Sequence, residues 1–316
     1  MNDLAYLTER AKEYVAACTG EFSSTALAKD IGVVDAETRD SIMSDLCALK
    51  LVEPTGRRNG QYIPISTDAP AISWQDAKEE YYPLRLPLGL DKMAGVNPKG
   101  MVVIAGETNG GKSYFSMLLA HMHIEKNGGQ HKRVFFWNSE TTPSAIKNNA
   151  TRIDSDMSHW SGLVVRERAS MFHQVIEPNG LNIIDYLQVE DEFYLIGAKL
   201  KAIFDAIETG VCIVFLQKNK GAALGIGGNY TLHKPVLALS LNEMHGTNAC
   251  RIDKLKAPLR YPNPEGMELD FRFNEFGRIN TIVPWRYLTK KNREELWKQY
   301  ERERALSKVS HNYGDF

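Results

Sequence analysis

Hydrophobic residues at helical spacing, followed by a hairpin pattern, mark the first 66 residues of the chain. Apolar side chains three or four positions apart predict a first helix, and they are Leu4, Leu7, Ala11, Tyr14 and Val15. A second predicted helix, residues 25–31, follows two serines, and a third follows Asp35, because short polar side chains cap helix N-termini. Two short apolar runs flank the polar residues 55–60 and predict a hairpin. The pattern therefore predicts a small N-terminal domain over residues 1–66.

The rest of the chain divides into three segments. Residues 67–90 are interrupted by prolines and show little periodicity, which predicts a linker. Residues 91–286 alternate short apolar runs with amphipathic stretches, which is the pattern of an α/β domain. Residues 287–316 combine many charges with apolar residues at helical spacing, and we expect a helical tail that packs on a neighbouring subunit or partner. The predicted fold class is α/β, with a parallel-rich central sheet and a small second domain.

The sequence GETNGGKS at residues 106–113 matches the phosphate-loop motif GxxxxGK[ST] in full. An apolar strand, residues 101–105, precedes it, and a helical pattern follows it, as the motif requires. In such a loop the backbone N–H groups surround phosphate oxygens, the lysine reaches the β- and γ-phosphates, and the hydroxyl binds Mg²⁺. The residues expected to bind ATP are Gly106, Glu107, Thr108, Asn109, Gly110, Gly111, Lys112, Ser113 and Tyr114.

Three further predicted strands end in polar residues that suit the same site. These residues are Asp185, Glu140 and Gln217. Asp185 is expected to hold Mg²⁺ together with Ser113, because the carboxyl ends of parallel strands meet in one crevice. Glu140 can orient the attacking water, and it can also cap the helix that follows. Gln217 can sense the γ-phosphate, or it is an ordinary amide at a strand end. The predicted catalytic residues are Lys112, Glu140 and Gln217.

Composition excludes several classes of protein. The chain has 38 Lys+Arg and 39 Asp+Glu, a formal net charge of −1, which excludes a histone-like polycation and an acidic disordered chain. The four cysteines, Cys18, Cys47, Cys212 and Cys250, form no CxxC pair, so a zinc ribbon or redox motif is not expected. Reduced thiols, no long apolar run and no signal-peptide pattern predict a cytoplasmic protein without a membrane span.

The order helix, helix, helix and hairpin in residues 1–66 resembles a winged helix. The third helix is the one that reads bases in DNA-binding members of that class. Its acidic residues outnumber its basic ones, and the charged residues are Asp35, Glu37, Arg39, Asp40, Asp45 and Lys50. The tip of the hairpin carries Arg57 and Arg58, which can contact a DNA backbone. Two interpretations stay open, namely DNA contact through the tip and docking of a protein partner.

A wider resemblance covers residues 85–285. It is carried by the phosphate loop and by Gly89-Leu90-Asp91-Lys92-Met93, Asn97-Pro98-Lys99-Gly100, Trp137-Asn138-Ser139-Glu140, Ile184-Asp185-Tyr186-Leu187-Gln188 and Phe215-Leu216-Gln217-Lys218-Asn219. Together these segments resemble the RecA-like ATPase core, in the branch of ring-forming replicative helicases. The resemblance implies a homo-oligomeric ring, commonly a hexamer, or a filament. It also implies that Glu140 activates water, that Asp185 binds Mg²⁺ through water and that Gln217 senses the γ-phosphate.

The chain departs from that family at two places. The family commonly has a Lys-x-Arg near the C-terminal strands that reaches the nucleotide of the neighbouring subunit. Here the corresponding run is Lys254-Leu255-Lys256, followed by Arg260, so the candidates for this role in trans are Lys254, Lys256 and Arg260. A lysine lacks the bidentate fork of arginine, and a weaker activity is expected if a lysine acts there. The N-terminal domain also does not resemble the helical collar of the replicative helicases.

The loop after Gln217 is rich in glycine and lysine, and in RecA-like rings this loop follows single-stranded DNA. The DNA-contact candidates are Lys218, Lys220, His233 and Lys234, with Arg57 and Arg58 of the hairpin. The segment 189–197 is acidic and argues against a simple DNA channel. The expected function is a Mg²⁺-dependent ATPase that acts on single-stranded DNA in replication or recombination, encoded by a phage or mobile element. The alternative is an ATP-gated scaffold or regulator whose winged helix recruits a protein or promoter DNA.

Overall fold

The computed structural model describes most of the chain, in two compact units. The described residues are 4–18, 20–56, 58–66, 75, 77–78, 80–108, 110–124, 133–187, 195–244, 247–274, 277–289, 291–292, 295, 298–299 and 302. The first unit is Met1–Lys78 and the second is Glu79–Phe316. Among the described residues, no helix combines the length and the apolar character that crossing a membrane requires.

The first unit contains three helices and a small antiparallel sheet. Its elements are α1 (Leu4–Ala17), β1 (Phe22–Ser23), α2 (Ser24–Ile31), α3 (Ala36–Ala48), β2 (Val52–Pro54) and β3 (Gln61–Pro64). Ser23 and Asp35 cap α2 and α3, since their side chains accept hydrogen bonds from backbone N–H groups of the first turn. The strands lie in the order β1-β3-β2, and the apolar faces of the helices form the core. The three predicted helices and the predicted hairpin are therefore present.

The second unit is built on one mostly parallel sheet of nine strands. Its elements are β4 (Gly100–Gly106), α4 (Lys112–Ile124), β5 (Val134–Asn138), α5 (Pro143–Ile153), β6 (Leu163–Glu167), β7 (Leu181–Asp185), α6 (Ile196–Asp205), β8 (Val211–Gln217), β9 (Leu237–Met244), β10 (Thr247–Leu255), β11 (Met267–Phe273) and β12 (Ile279–Tyr287). The strand order is β12-β11-β10-β9-β4-β8-β7-β5-β6. All pairs from β9 to β6 are parallel, and the pairs from β9 to β12 are antiparallel. The predicted α/β class with a parallel-rich sheet is confirmed.

Both faces of the parallel part of the sheet are covered. Val102 and Ile104 of β4 pack with α4 and α5, whereas Met101 and Val103 pack with α6 on the other face. Strands buried on both faces read as continuous apolar runs, and this is why β4 and β8 could be predicted from the sequence.

The core of the second unit extends into the segment predicted as a linker. Leu86 and Leu90 are buried with the sheet, and the indole of Trp285 donates a hydrogen bond to the carbonyl oxygen of Leu88, at 2.9 Å. Prolines interrupt this segment, so its apolar residues show neither the helical nor the strand spacing that would have predicted their burial. The described residues of the tail, 291–292, 295, 298–299 and 302, are helical.

All four cysteines are free thiols. Cys212 and Cys250 are fully buried, and burial raises the pKa of both thiols, whereas Cys18 and Cys47 are partly exposed.

Ile213→Ala should lower the free energy of unfolding by about 2–5 kcal/mol, because Ile213 is fully buried in β8 and the smaller side chain leaves a cavity. Urea unfolding followed by tryptophan fluorescence measures the loss. Ile282→Ala is the matched control, because Ile282 is 51% exposed, and it should cost less than about 1 kcal/mol. Equal losses in the two variants would contradict the assignment of β8 to the core.

Candidate nucleotide-binding site

The phosphate loop lies at the carboxyl end of the central strand of the sheet. It connects β4 to α4, and β4 is flanked by the parallel strands β8 and β9. Gly106, the last residue of β4, is level with Gln217 of β8 and with Leu241 of β9. The N-terminus of α4 therefore faces the crevice in which parallel sheets bind ligands.

Two glycines of the loop have no room for a side chain. A Cβ on Gly106 would lie 2.5 Å from the Cγ of Lys112. Gly111 has a φ of +79°, and a Cβ there would lie 2.6 Å from the Cε2 of Phe273 in β11. The loop can therefore keep its backbone N–H groups close to a ligand only with glycine at these positions. Asn109 lies outside the described residues.

Lys112 is surrounded by oxygen atoms. Its ammonium donates hydrogen bonds to the carbonyl oxygens of Gly106, at 3.0 Å, and Glu107, at 2.9 Å. Burial lowers the pKa of Lys112, and the negative charges of Asp185, Glu140 and Glu107 oppose this shift. The sequence predicted Lys112, Asp185 and Glu140 for one site, and the structure places their charges close enough to interact.

Asp185 has the features of a cation ligand. It is 3% exposed at the end of β7, and its Oδ2 accepts a hydrogen bond from the Ser116 hydroxyl at 2.9 Å. Its Oδ1 is buried and has no hydrogen-bond partner among the described residues. Burial raises the pKa of Asp185, and the hydroxyls of Ser116 and Ser113 and the charge of Lys112 oppose the rise. The hydroxyl of Ser113 and the carboxylate of Asp185 are the hard oxygen ligands that Mg²⁺ prefers, so these residues fit the ion.

Glu140 is exposed beside the same site. It lines a surface cavity of about 550 Å³ with residues 138–143 and Glu167. Burial raises the pKa of Tyr186, and the charge of Glu140 and a hydrogen bond to it add to the rise. The cap of α5 is Thr142, whose hydroxyl accepts from the backbone N–H of Ala145 at 3.4 Å. Of the two roles open to Glu140, the role as a helix cap is therefore excluded.

Gln217 contacts the loop directly. Its Nε2 donates a hydrogen bond to the hydroxyl of Thr108 at 2.8 Å. Tyr114 is fixed from the other side, because its hydroxyl donates to the carbonyl oxygen of Gly277 at 2.9 Å and its ring packs edge-on against Phe273. The connection between β11 and β12 therefore packs against the start of α4.

The structure corrects the expectation for Glu107. Its carboxylate is buried and accepts hydrogen bonds from the backbone N–H groups of Gly221, at 2.8 Å, and Glu243, at 3.1 Å. The side chain of Glu107 therefore binds protein backbone, and only its main chain belongs to the phosphate loop.

The structure also corrects the expectation that Lys218 contacts DNA. Lys218 is 3% exposed, and its ammonium donates a hydrogen bond to the side chain of Asn242. A cation in this position cannot reach a phosphate backbone. Lys220 is exposed and forms an ion pair with Glu243 at 3.7 Å.

The remaining DNA-contact candidates lie at the surface or near it. His233 is exposed and packs edge-on against Tyr230, and the half-buried Lys234 lies over the ring of Phe204, 5.0 Å from its centroid. In the first unit Arg58 is exposed, while Arg57 lies outside the described residues.

The three candidates for a role in trans contact residues outside the phosphate loop of their own chain. Lys254 is half-buried and donates to the carbonyl oxygen of Leu232. Lys256 donates to the carbonyl oxygen of His233 at 3.4 Å, and Arg260 contacts the sulfur of Met267 at 3.4 Å.

Sequence reasoning missed two residues of the site. Ser116 lies one helical turn after Ser113, and this spacing was a signal that it faces the same crevice. Phe273 gave no local signal, because only the tertiary fold brings β11 to the loop.

Comparisons with known proteins identify no family for this chain. No protein-family model matches it, and no curated protein sequence matches it. Arguments about its function therefore rest on the geometry of the site.

Gly111→Ala should lower the free energy of unfolding by more than Gly266→Ala. Both glycines have positive φ, at +79° and +87°, but a Cβ on Gly266 meets no atom within 4 Å. The control measures backbone strain alone, about 1–2 kcal/mol, and Gly111→Ala adds the clash with Phe273. The excess should shrink in the double variant with Phe273→Ala. Urea unfolding of Gly111→Ala, Gly266→Ala, Phe273→Ala and the double variant tests this, and equal losses at the two glycines would contradict the close contact.

Proposed function

We propose that the chain is a Mg²⁺-dependent ATPase of the RecA and ring-helicase type, which couples ATP hydrolysis to binding or translocation on single-stranded DNA. The observation that carries the proposal is the convergence of Lys112, Asp185, Glu140 and Gln217 on one phosphate loop at the carboxyl ends of four parallel strands. A lysine that serves only in a structural ion pair needs one acid beside it. This site contains the cation of Lys112, the carboxylates of Asp185 and Glu140 from outside the loop, and the amide of Gln217.

Each residue has a chemical role in this proposal. The backbone N–H groups of the loop and the ammonium of Lys112 bind the phosphates, and Ser113 and Asp185 hold Mg²⁺. When bound, the ion neutralises charge on the phosphate oxygens. Glu140 orients the attacking water and accepts its proton, which its exposed position and the interaction of its charge with Lys112 favour. Gln217 reports the state of the γ-phosphate through its contact with Thr108.

A homo-oligomer, a hexameric ring or a filament, completes the proposed site. In such an assembly Lys254, Lys256 or Arg260 of a neighbouring subunit supplies positive charge to the nucleotide. The exposed Lys220 and His233 and the half-buried Lys234 follow the sensor strand β8, and they support a contact between this region and DNA phosphates.

A second candidate function is an ATP-gated scaffold or regulator. We infer a winged-helix-like domain in the first unit from its three helices and its hairpin. The acidic residues of α3 and its cap, Asp35, Glu37, Asp40 and Asp45, are all exposed. Their charge repels a DNA backbone and favours a protein partner at that helix, which supports recruitment by this domain.

Lys112→Ala should abolish nucleotide binding, because the ammonium is the cation of the loop. Glu140→Gln should keep nucleotide affinity within about threefold and lower turnover by at least about 100-fold, because it removes the base and little else. Calorimetry with a non-hydrolysable ATP analogue and Mg²⁺ measures nucleotide affinity in both variants, and phosphate release measures turnover. Glu167→Gln, which changes another acid of the same cavity, is the control and should keep turnover. Unchanged hydrolysis in Glu140→Gln would refute the role of Glu140.

Single-stranded DNA should raise ATP turnover in the wild-type protein, and the double variant Lys220→Ala and Lys234→Ala should lose most of that stimulation. The loss should be larger at low salt and shrink as the salt concentration rises, because each lysine removed takes away one phosphate contact and lowers the salt dependence of DNA binding. Lys201→Ala is the control, since Lys201 is a surface lysine on α6 that pairs with Asp205.

Phosphate release with and without an oligonucleotide, at several salt concentrations, measures the stimulation. ATP hydrolysis with no response to DNA, and no DNA binding at low salt, would reject the motor and favour the scaffold.

A further inference from the structure

Glu107 connects the phosphate loop to the segment after β8 and to the end of strand β9. Its Oε1 accepts a hydrogen bond from the backbone N–H of Gly221, which follows β8, and its Oε2 accepts one from the backbone N–H of Glu243, near the end of β9. These partners are 114 and 136 residues away in the sequence. Glu107 is 2% exposed, so both bonds are shielded from water.

The charge of Glu107 is compensated inside the protein. Lys218 is buried beside it, burial lowers the pKa of Lys218, and the charge of Glu107 is the largest effect that opposes this shift. The ammonium of Lys218 is also bonded to Asn242, the residue before Glu243. A buried carboxylate is stable only with such partners, and Glu107 has two backbone donors and a nearby cation.

Lys112, the residue that would bind a phosphate, is hydrogen-bonded to the peptide group of Glu107. The ammonium of Lys112 donates to the carbonyl oxygen of Glu107 at 2.9 Å. If this ammonium turns to a phosphate, that carbonyl oxygen loses one of its two donors and keeps the backbone N–H of Gly110, at 3.0 Å, while the side chain of Glu107 still holds Gly221. A change of ligand at Lys112 therefore acts on the residue that anchors the next loop.

Gly221 lies near the start of the glycine-rich segment, residues 219–236. The segment is held near its start by Glu107 and by a bond from the N–H of Ile226 to the carbonyl oxygen of Gln217, at 2.9 Å. Near its far end, Lys254 donates to the carbonyl oxygen of Leu232. Of the two contacts near the start of the segment, the one with Glu107 joins it to a buried, charged side chain of the phosphate loop.

We propose that Glu107 is a positioning residue that fixes the glycine-rich segment 219–236 to the phosphate loop and transmits the state of the loop to it. The anchoring follows from the contacts of this chain alone, and the part played by nucleotide and DNA rests on the function proposed above. The side chain of Glu107 touches no reacting atom, and it can act on ATP turnover through the segment and through the effect of its charge on Lys112.

Glu107→Gln is the informative variant, because it keeps the shape of the side chain and replaces one acceptor oxygen by a donor. One of the two backbone N–H groups then loses its acceptor. Asp270→Asn is the matched control, since Asp270 is 2% exposed in β11 and bonded to Arg286 at 2.8 Å, away from this cluster. Lys218→Gln removes the cation that compensates the charge of Glu107, and it tests the anchoring if Glu107→Gln does not fold.

Amide hydrogen exchange on the full-length protein without nucleotide is the first measurement. Exchange at Gly221 or at Glu243, whichever faces the new amide donor, should rise about tenfold or more in Glu107→Gln, rise less in Lys218→Gln and stay unchanged in Asp270→Asn. Unchanged exchange at both positions in Glu107→Gln would overturn the anchoring. This result does not depend on whether the protein binds ATP, so a failure of the ATPase proposal is distinguished from a failure of this one.

Exchange with a non-hydrolysable ATP analogue and Mg²⁺ tests the transmission. In the wild-type protein and Asp270→Asn, protection of residues 219–236 should change at least about threefold on nucleotide binding, and in Glu107→Gln this response should disappear. The ratio of DNA-stimulated to basal turnover should fall about tenfold in Glu107→Gln alone. An equal response of the segment in wild type and Glu107→Gln, or no response in a wild-type protein that binds the analogue, would overturn the transmission.

Discussion

The register of three parallel strands positions everything else in the candidate site. β8, β4 and β9 pair side by side, and Gly106 is level with both Gln217 and Leu241. Because β4 and β8 end at the same height and β9 continues past them to Met244, the loops after β4 and β8 begin beside one another and beside the last residues of β9. The contact of Gln217 with Thr108, and those of Glu107 with Gly221 and Glu243, all follow from this alignment. A shift of one residue in either pairing would separate them.

Charge in the crevice is balanced around a partly buried lysine. Lys112 interacts with the negative charges of Asp185, Glu140 and Glu107, and one oxygen of Asp185 is buried and lacks a hydrogen-bond donor among the described residues. Such a site is costly unless further charges enter it, because buried ions need partners. A triphosphate with a divalent cation supplies the negative charge that Lys112 can bind and the positive charge that Asp185 can bind. The same electrostatics therefore support the proposal that a nucleotide and a divalent cation bind in this crevice.

Local sequence signals predicted the parts of the fold that are encoded locally. The phosphate loop carries its own motif, and β5, β7 and β8 are apolar runs that end in Glu140, Asp185 and Gln217 or just before them. The strands β6 and β10–β12 and the helix α6 were missed, because their patterns are short or mix apolar with charged residues. Lys218 was assigned to DNA contact because it begins the glycine-rich loop after Gln217, and only the contact with Asn242 and the charge of Glu107 show why it is buried. Contacts over more than a hundred residues leave no trace in a local pattern.

The contact between the β11–β12 connection and the phosphate loop has a consequence for biosynthesis. Tyr114 and Gly277 are bonded across 163 residues, and Phe273 fills the space above Gly111. A ribosome releases the phosphate loop long before it has translated these late strands, and domains of this size acquire their packing as units. The nascent chain therefore completes the crevice around its phosphate-loop motif only near the end of translation. A message truncated before β11 would yield a polypeptide with an intact motif and an unfinished pocket.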